Sequence, residues 1–396
     1  MKRIFMPLAV SLVLCGCGSR TVIFKPPPQG VPASTPHATQ AIGFPAIATK
    51  NTTRVDGADP IVNAAGVALA EYPSAARGTH PSVVVLAPTD DWQAAIASSA
   101  LSAPPFRAPI LLSDSGSLAS ATSDALTQLS PSGSGAAGGA QVIAIGDVPK
   151  PKGEHVVRIS GRDPFTVAAG IDRFATAAAG RPSPDVVIAS ADQAPYAMPA
   201  AGWAGLSGDP ILFVTSSSVP KPTQQALLAH QHPHIYILGP TKVIPQSVAK
   251  QLSKYGKVKR ISGNDPASSS VAFAVYRDPP CAKGQPCAHV PGSFGWALRS
   301  PGHGYVLVNQ SQPLDAAAAA PLSASGSFGA QLILDSASTL PQSILNFFLN
   351  YATPGFTEEG PTAAVYNHAW IIGNEQAISV PVQAEVDALL EAVPQK

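Results

Sequence analysis

The sequence predicts an α/β fold made of three tandem βα repeat units with mostly parallel sheets. Three observations lead there. The pattern Arg-x-x-Gly-x-Asp-Pro occurs at Arg54–Pro60, Arg158–Pro164 and Arg260–Pro266, at spacings of 104 and 102 residues. Other landmarks follow each occurrence in the same order, which is the signature of a repeat architecture. Short Val- and Ile-rich runs alternate with alanine-rich helical stretches. Apolar runs without polar alternation belong to strands buried on both faces, as in parallel sheets covered by helices.

Ahead of the repeats, Lys2 and Arg3 form a positive start, and Ile4–Leu14 is an apolar run. That run is too short to span a bilayer but suits the core of a signal peptide. It ends in Leu14-Cys15-Gly16-Cys17, which resembles the lipobox of bacterial lipoproteins. The resemblance implies cleavage after residue 16 and acylation of Cys17. The plainer alternative is a secretory signal cut near the same point without lipid. Residues 17–50 then read as a tether rich in Pro, Ala and Thr, with no sustained periodicity.

The first unit is expected over 51–152, the second over 153–256 and the third over 257–396. Each Asp-Pro should start a helix, with Asp59, Asp163 and Asp265 as N-caps and proline at the first helical position. A strand comes next: Val83–Leu86, Val186–Ala189 and Tyr305–Val308. An alanine-rich helix follows at Trp92–Leu101, Tyr196–Leu206 and Leu314–Leu322. A second strand is expected at Ala108–Leu112, Asp209–Phe213 and Ala330–Leu334, then another helix. Each unit closes on a strand ending in glycine: Gln141–Gly146, Ile235–Gly239 and Ala369–Gly373. Those glycines permit a sharp turn at the strand's carboxyl end. The third unit is longer, with insertions near 278–303 and 353–362.

These landmarks resemble the type 2 cell-wall-binding repeat of bacterial surface proteins. Arg158-Ile159-Ser160-Gly161-Arg162-Asp163 with Thr166–Ala169 fits its first element. Leu314-Asp315-Ala316-Ala317 fits its Asp-Ala-Leu segment, Pro109–Leu112 its apolar strand, and Ile372-Gly373 with Ile378-Ser379 its closing strand and helix start. The chain departs from the pattern where proline follows each motif Asp and where Gly-Gly is reduced to Gly146-Asp147, Gly239-Pro240 and Gly373-Asn374. The resemblance implies a pseudo-three-fold arrangement and non-catalytic, non-covalent binding of an anionic cell-wall polymer or peptidoglycan-associated glycan.

Composition narrows the partners. The chain has 396 residues and a net charge of +1, so its overall field gives little attraction to nucleic acid. Polyanion binding would need a local cluster. Lys250, Lys254, Lys257, Lys259 and Arg260 form the densest basic stretch. Its plain reading is a solvated helix end whose dipole favours cations, and its sharper one is a polymer contact. Arg54, Arg158 and Arg260 could line a shared groove, or each could pair with an acid of its own repeat.

Other motifs weigh less. Gly133-Ser134-Gly135-Ala136-Ala137-Gly138 has dinucleotide-binding spacing but precedes a strand instead of a helix, so no cofactor is expected. Cys281 and Cys287 suit a disulfide across a small loop, and the rival is a metal site with His289 and His303. His230, His232 and His234 would share one side if extended, which raises a metal site against a polar loop. No nucleophile, metalloprotease or P-loop motif occurs, so the expectation is a non-enzyme. The sequence reading is a lipid-anchored, extracytoplasmic, monomeric protein facing the cell wall. A solute-binding lipoprotein and a cell-wall hydrolase are the alternatives.

Overall fold

A computed structural model describes residues 45–76, 78–281, 289–324, 328–352, 355–356, 366–391 and 393–394. Among them, three sheets dominate, each built on four parallel strands, and the third carries one antiparallel edge strand besides. In chain order the strands are β1 (Pro45–Ala48), β2 (Thr52–Val55), β3 (Val84–Pro88), β4 (Ile110–Ser113), β5 (Val142–Ile145), β6 (Val156–Ile159), β7 (Asp185–Ser190), β8 (Ile211–Val214), β9 (His234–Leu238), β10 (Lys257–Ile261), β11 (Gly304–Asn309), β12 (Phe328–Leu334), β13 (Gly355–Phe356), β14 (His368–Ile372) and β15 (Val393–Pro394).

The sheet orders show how the units are joined. They run β4-β3-β5-β6, β10-β9-β7-β8 and β1-β2-β14-β11-β12, with β1 antiparallel to β2. The first arginine motif supplies β2, the second β6 and the third β10. Each of these strands pairs in parallel with the closing strand of a preceding unit: β6 with β5 and β10 with β9. The first motif has no unit before it, and β2 pairs with β14, so the first repeat completes the sheet of the third. The repeats therefore close on themselves instead of running as an open array.

The helix after each motif packs elsewhere. Helix α1 (Pro60–Glu71) lies against β4 of the first sheet, although β2 is in the third. The helix Pro164–Ala179 packs on β8 of the second sheet, and Pro266–Ala274 on β12 of the third. Each motif thus straddles a junction. The expected caps form: Asp59, Asp163 and Asp265 accept from backbone N–H groups of the first turn, with proline at the helix start.

The centre is built from the alanine-rich helices Trp92–Ser98, Pro199–Ser207 and Pro313–Ala324, one from each unit, which pack on one another. Residues 315–323 of the last are all buried, as are 199–205 of the second. Small side chains permit this close approach. A Cβ on Gly205 would sit 2.5 Å from the carbonyl oxygen of Ala320. The strands around this hub are buried along their length, as their unbroken Val and Ile content implies.

Element limits differ modestly from expectation. The second-unit hub helix starts only at Pro199, after a short turn of helix at Ala194–Ala197, because Pro199 cannot donate its missing N–H to a continuous helix. Most of the insertion expected near 353–362 and its neighbour at 282–288 lie outside the described residues.

Candidate functional site

At each repeat junction a motif strand pairs in parallel with a closing strand, β6 with β5, β10 with β9 and β2 with β14, and parallel α/β sheets usually place ligands beyond the carboxyl ends of their strands. The three motif arginines lie there and share one job. Arg158 donates from Nη1 to the carbonyl of Gly146 at 2.6 Å and from Nη2 to Val148 at 2.7 Å. Arg260 does the same to Gly239 and Ile244, both at 2.7 Å. Arg54 donates from Nη1 to Gly373 at 2.7 Å and from Nε to Gln383 at 2.8 Å. Each guanidinium therefore fastens the turn behind the closing strand of the neighbouring unit. The bonds go to carbonyls, not to acids of the same repeat. Arg54 is fully buried and Arg158 is exposed. Burial lowers the pKa of Arg54 and Arg260, though a guanidinium keeps its proton.

The turns those arginines grip are left-handed. Gly146, Gly239 and Gly373 have φ of 65°, 108° and 102°, which a side chain would strain. The motif glycines matter for a different reason, which is space. A Cβ on Gly57 would lie 2.3 Å from Oδ1 of Asn63, and one on Gly263 would lie 2.4 Å from the backbone of Ser268. The backbone N–H of Gly57 donates to Asn63, and that of Gly263 to Ser269.

The basic stretch divides. Helix Gln246–Leu252 carries Lys250 in its last turn, while Lys254 falls in the turn beyond it. Lys257 and Lys259 stand on β10, the edge strand of the second sheet, and all four lysines are exposed. Charges on an edge strand also discourage pairing with another chain. Lys259 is already engaged, with Nζ at 2.5 Å from both oxygens of Asp278. Asp278 also accepts from the Tyr236 hydroxyl at 2.7 Å, and Phe294 stacks on Tyr236 with ring centres 3.5 Å apart. These contacts fasten the start and end of the first insertion onto the face of the second sheet. The lysine and tyrosine hydrogen bonds hold the Asp278 carboxyl below its ordinary range against the opposing effect of burial.

The histidine tract is not extended, because Gln231 and His232 take left-handed φ of 55° and 67°. His230 is buried; it donates to the Ser183 carbonyl at 2.7 Å and faces Asp172 at 2.9 Å. With a carbonyl accepting from Nδ1 and the Asp172 carboxyl against Nε2, the surroundings favour the doubly protonated ring. Burial opposes that charge, but the hydrogen bond and charge of Asp172 outweigh it and raise the pKa. His234 lies 3.1 Å from Asp185, and His232 is exposed. Among the described residues no group of three His, Cys, Asp or Glu side chains could hold a metal ion. The expected Cys281–Cys287 pair involves residue 287, which is outside the described residues, as is Cys17.

Sequence reasoning placed Asp209 at a strand start and Asp315 in the Asp-Ala-Leu segment but did not foresee that both are buried acids. Asp209 accepts from Trp203 Nε1 at 2.7 Å and from the Ser183 hydroxyl at 2.5 Å, and burial pushes it up to about 6. Asp315 is buried in the first turn of its hub helix, and burial pushes it up to about 7. Both sit next to alanine-rich runs that read as plain core.

Residues 158–249 match the family model of Cell wall binding domain 2 (CWB2). The match begins at the second motif arginine. Two solved structures share the fold with a TM-score of 0.64: Cwp8 from Clostridium difficile at 17% identity and Cwp6 from the same organism at 18%. Each alignment covers 86% of this chain, but only 52% of Cwp8 and 48% of Cwp6, so the chain spans about half the length of those structures. No curated protein matches the chain by sequence.

Proposed function

We propose that this protein, with its cell wall binding domain 2 segment, is a lipid-anchored envelope protein that binds an anionic cell-wall polymer non-covalently. The match at residues 158–249 carries the reading. In it, residues 1–16 are a signal peptide, Cys17 bears the lipid, and 17–50 hold the body off the membrane. The body is three repeats, 51–152, 153–256 and 257–396, acting as a monomer outside the cytoplasm without catalysing a reaction. A Cys281–Cys287 disulfide closes the insertion loop.

Charge assigns the contact. The polymer meets Lys250, Lys254 and Lys257, whose ammonium groups are exposed, while Lys259 holds the insertion beside them. The motif arginines shape the adjacent turns; Arg158, the exposed one, and Arg260 take part at the rim. An ammonium cluster is what phosphate or carboxylate groups require. Among the described residues no helix is long and apolar enough to cross a membrane. The test is co-sedimentation of the chain with purified walls, intact and stripped of anionic polymer.

One observation favours a second reading, solute binding. A cleft of about 450 Å³ opens where the first two units meet the insertion of the third, lined by Phe106, Asp172, Arg181, Ser183, Trp203 and His289 among others. Thermal stabilisation by a small solute, with no sedimentation on walls, would favour it.

A further inference from the structure

The junction of the third and first units differs from the other two in what it leaves open. Position four after the motif Asp is Asn63 here, but Val167 and Ser269 at the other junctions. Asn63 Nδ2 donates to Oδ1 of Asp315 at 3.0 Å, linking residues 252 positions apart. Asp315 is 1% exposed. Its other oxygen, Oδ2, accepts no hydrogen bond from a described residue. It points towards Gly373 and lies 3.6 Å from where a Cβ on that residue would sit.

Asp315 lines a pocket of about 90 Å³, together with Asp59, Asn63, Gln312, Gly373 and Asn374 among others. The lining holds two carboxyl groups and no lysine, arginine or histidine. The charge of Asp59 works with burial to push Asp315 up, so the site lacks a positive partner. An anion is therefore repelled. A metal ion is poorly served, since no group of three acid, histidine or cysteine ligands forms among the described residues. A small donor-rich cation fits, because an ammonium offers three hydrogens to converging oxygens.

We propose that this pocket binds a primary ammonium group, the free amine of an amino sugar or of an amino-acid ester, between Asp315 and Asp59. The amine's charge satisfies Asp315 Oδ2, and the volume admits the head group while the rest of the ligand stays outside. Gly373 leaves room beside Asp315, since a Cβ there would lie 2.8 Å from the Cβ of Ala377 and 3.6 Å from Asp315 Oδ2. The proposal does not depend on wall binding.

Calorimetric titration of the full chain tests it with two amines, glucosamine and alanine methyl ester. Their N-acetylated forms serve as uncharged controls. At least one amine should bind, and its acetylated form should bind at least about tenfold more weakly. Which amine binds identifies the source. Asp315→Asn, nearly isosteric, should abolish the difference between amine and control. Ala58→Leu, at an exposed position on the rim, should weaken the amine without touching the acid. Equal binding of amine and control, or no binding of either amine, overturns the proposal. The two readings fail separately. Amine binding without wall sedimentation upholds the pocket and removes the wall reading, and wall sedimentation without amine binding does the reverse.

Discussion

Arg54 Nη1 lies 2.7 Å from the carbonyl oxygen of Gly373, a bond between residues 319 positions apart that closes the ring of repeats. Its Nε holds Gln383, which in turn donates to Thr52 at 3.0 Å. The first motif is thereby built into the last unit. Replacing Arg54 with Met leaves two buried acceptors without a donor. The expected loss is roughly 3 kcal/mol, while Arg158→Met, at an exposed site, loses about 1 kcal/mol. Arg54→Lys should not restore the wild-type value, since one ammonium cannot reproduce the two-directional fork. Denaturant unfolding of the three variants checks the order.

The hub tolerates no added volume at Gly205. A Cβ there meets the Ala320 carbonyl oxygen at 2.5 Å, which is backbone and cannot swing aside. Gly205→Val should destabilise by about 3 kcal/mol or more through overpacking. Gly180→Ala is a useful contrast: its φ of 75° strains a side chain, but nothing lies within 4 Å of the added methyl. Thermal denaturation should rank Gly205→Val well below Gly180→Ala.

Three buried groups give the fold a common pH dependence. His230 is raised, so its contribution is complete below its unfolded value near pH 6.5 and is lost as pH climbs through the folded value. Asp209 and Asp315 are carboxyls raised to about 6 and about 7. For them the folded state holds the proton more tightly, so stability declines as pH rises from the ordinary carboxyl range to those values. All three effects have the same sign. The protein should melt at a higher temperature at pH 5 than at pH 8. Asp209→Asn, which keeps the Trp203 partner but cannot ionise, should flatten part of that slope. A melting temperature that rises from pH 5 to pH 8 would contradict the assignment.

Much of this was legible in the sequence. The thrice-written motif fixes the number of units, its Asp-Pro fixes three helix starts, and the Val–Ile runs fix the buried strands. Periodicity does not report which sheet a strand joins. Thr52–Val55 reads as the start of the first repeat, yet its hydrogen bonds go to residues 369–372. Likewise Arg54, Arg158 and Arg260 are visible as repeated cations, but apart from the Gln383 side chain that Arg54 also holds, their partners are backbone carbonyls, and carbonyls leave no mark in a sequence. The Asp315–Asn63 pair was hidden because each residue sits in an alanine-rich run and the two meet only after the ring closes. His230 was noticed for its neighbours and matters for Asp172, 58 positions away.

Neutralising Lys250, Lys254 and Lys257 together with Gln should leave stability within about 0.5 kcal/mol, since exposed charges contribute little to folding. Lys259→Gln should behave differently, loosening the insertion held by Asp278 and raising hydrogen exchange at 276–281 and 289–297. Exchange mass spectrometry separates the two cases.

The most direct measurement is co-sedimentation of the chain with purified cell walls across a salt series. Intact walls should bind it, stripping the anionic polymer should release it, added salt should weaken it, and the Lys250, Lys254 and Lys257 triple variant should bind about tenfold more weakly at low salt. Equal binding to intact and stripped walls, or no binding to either, would contradict polymer recognition by this fold.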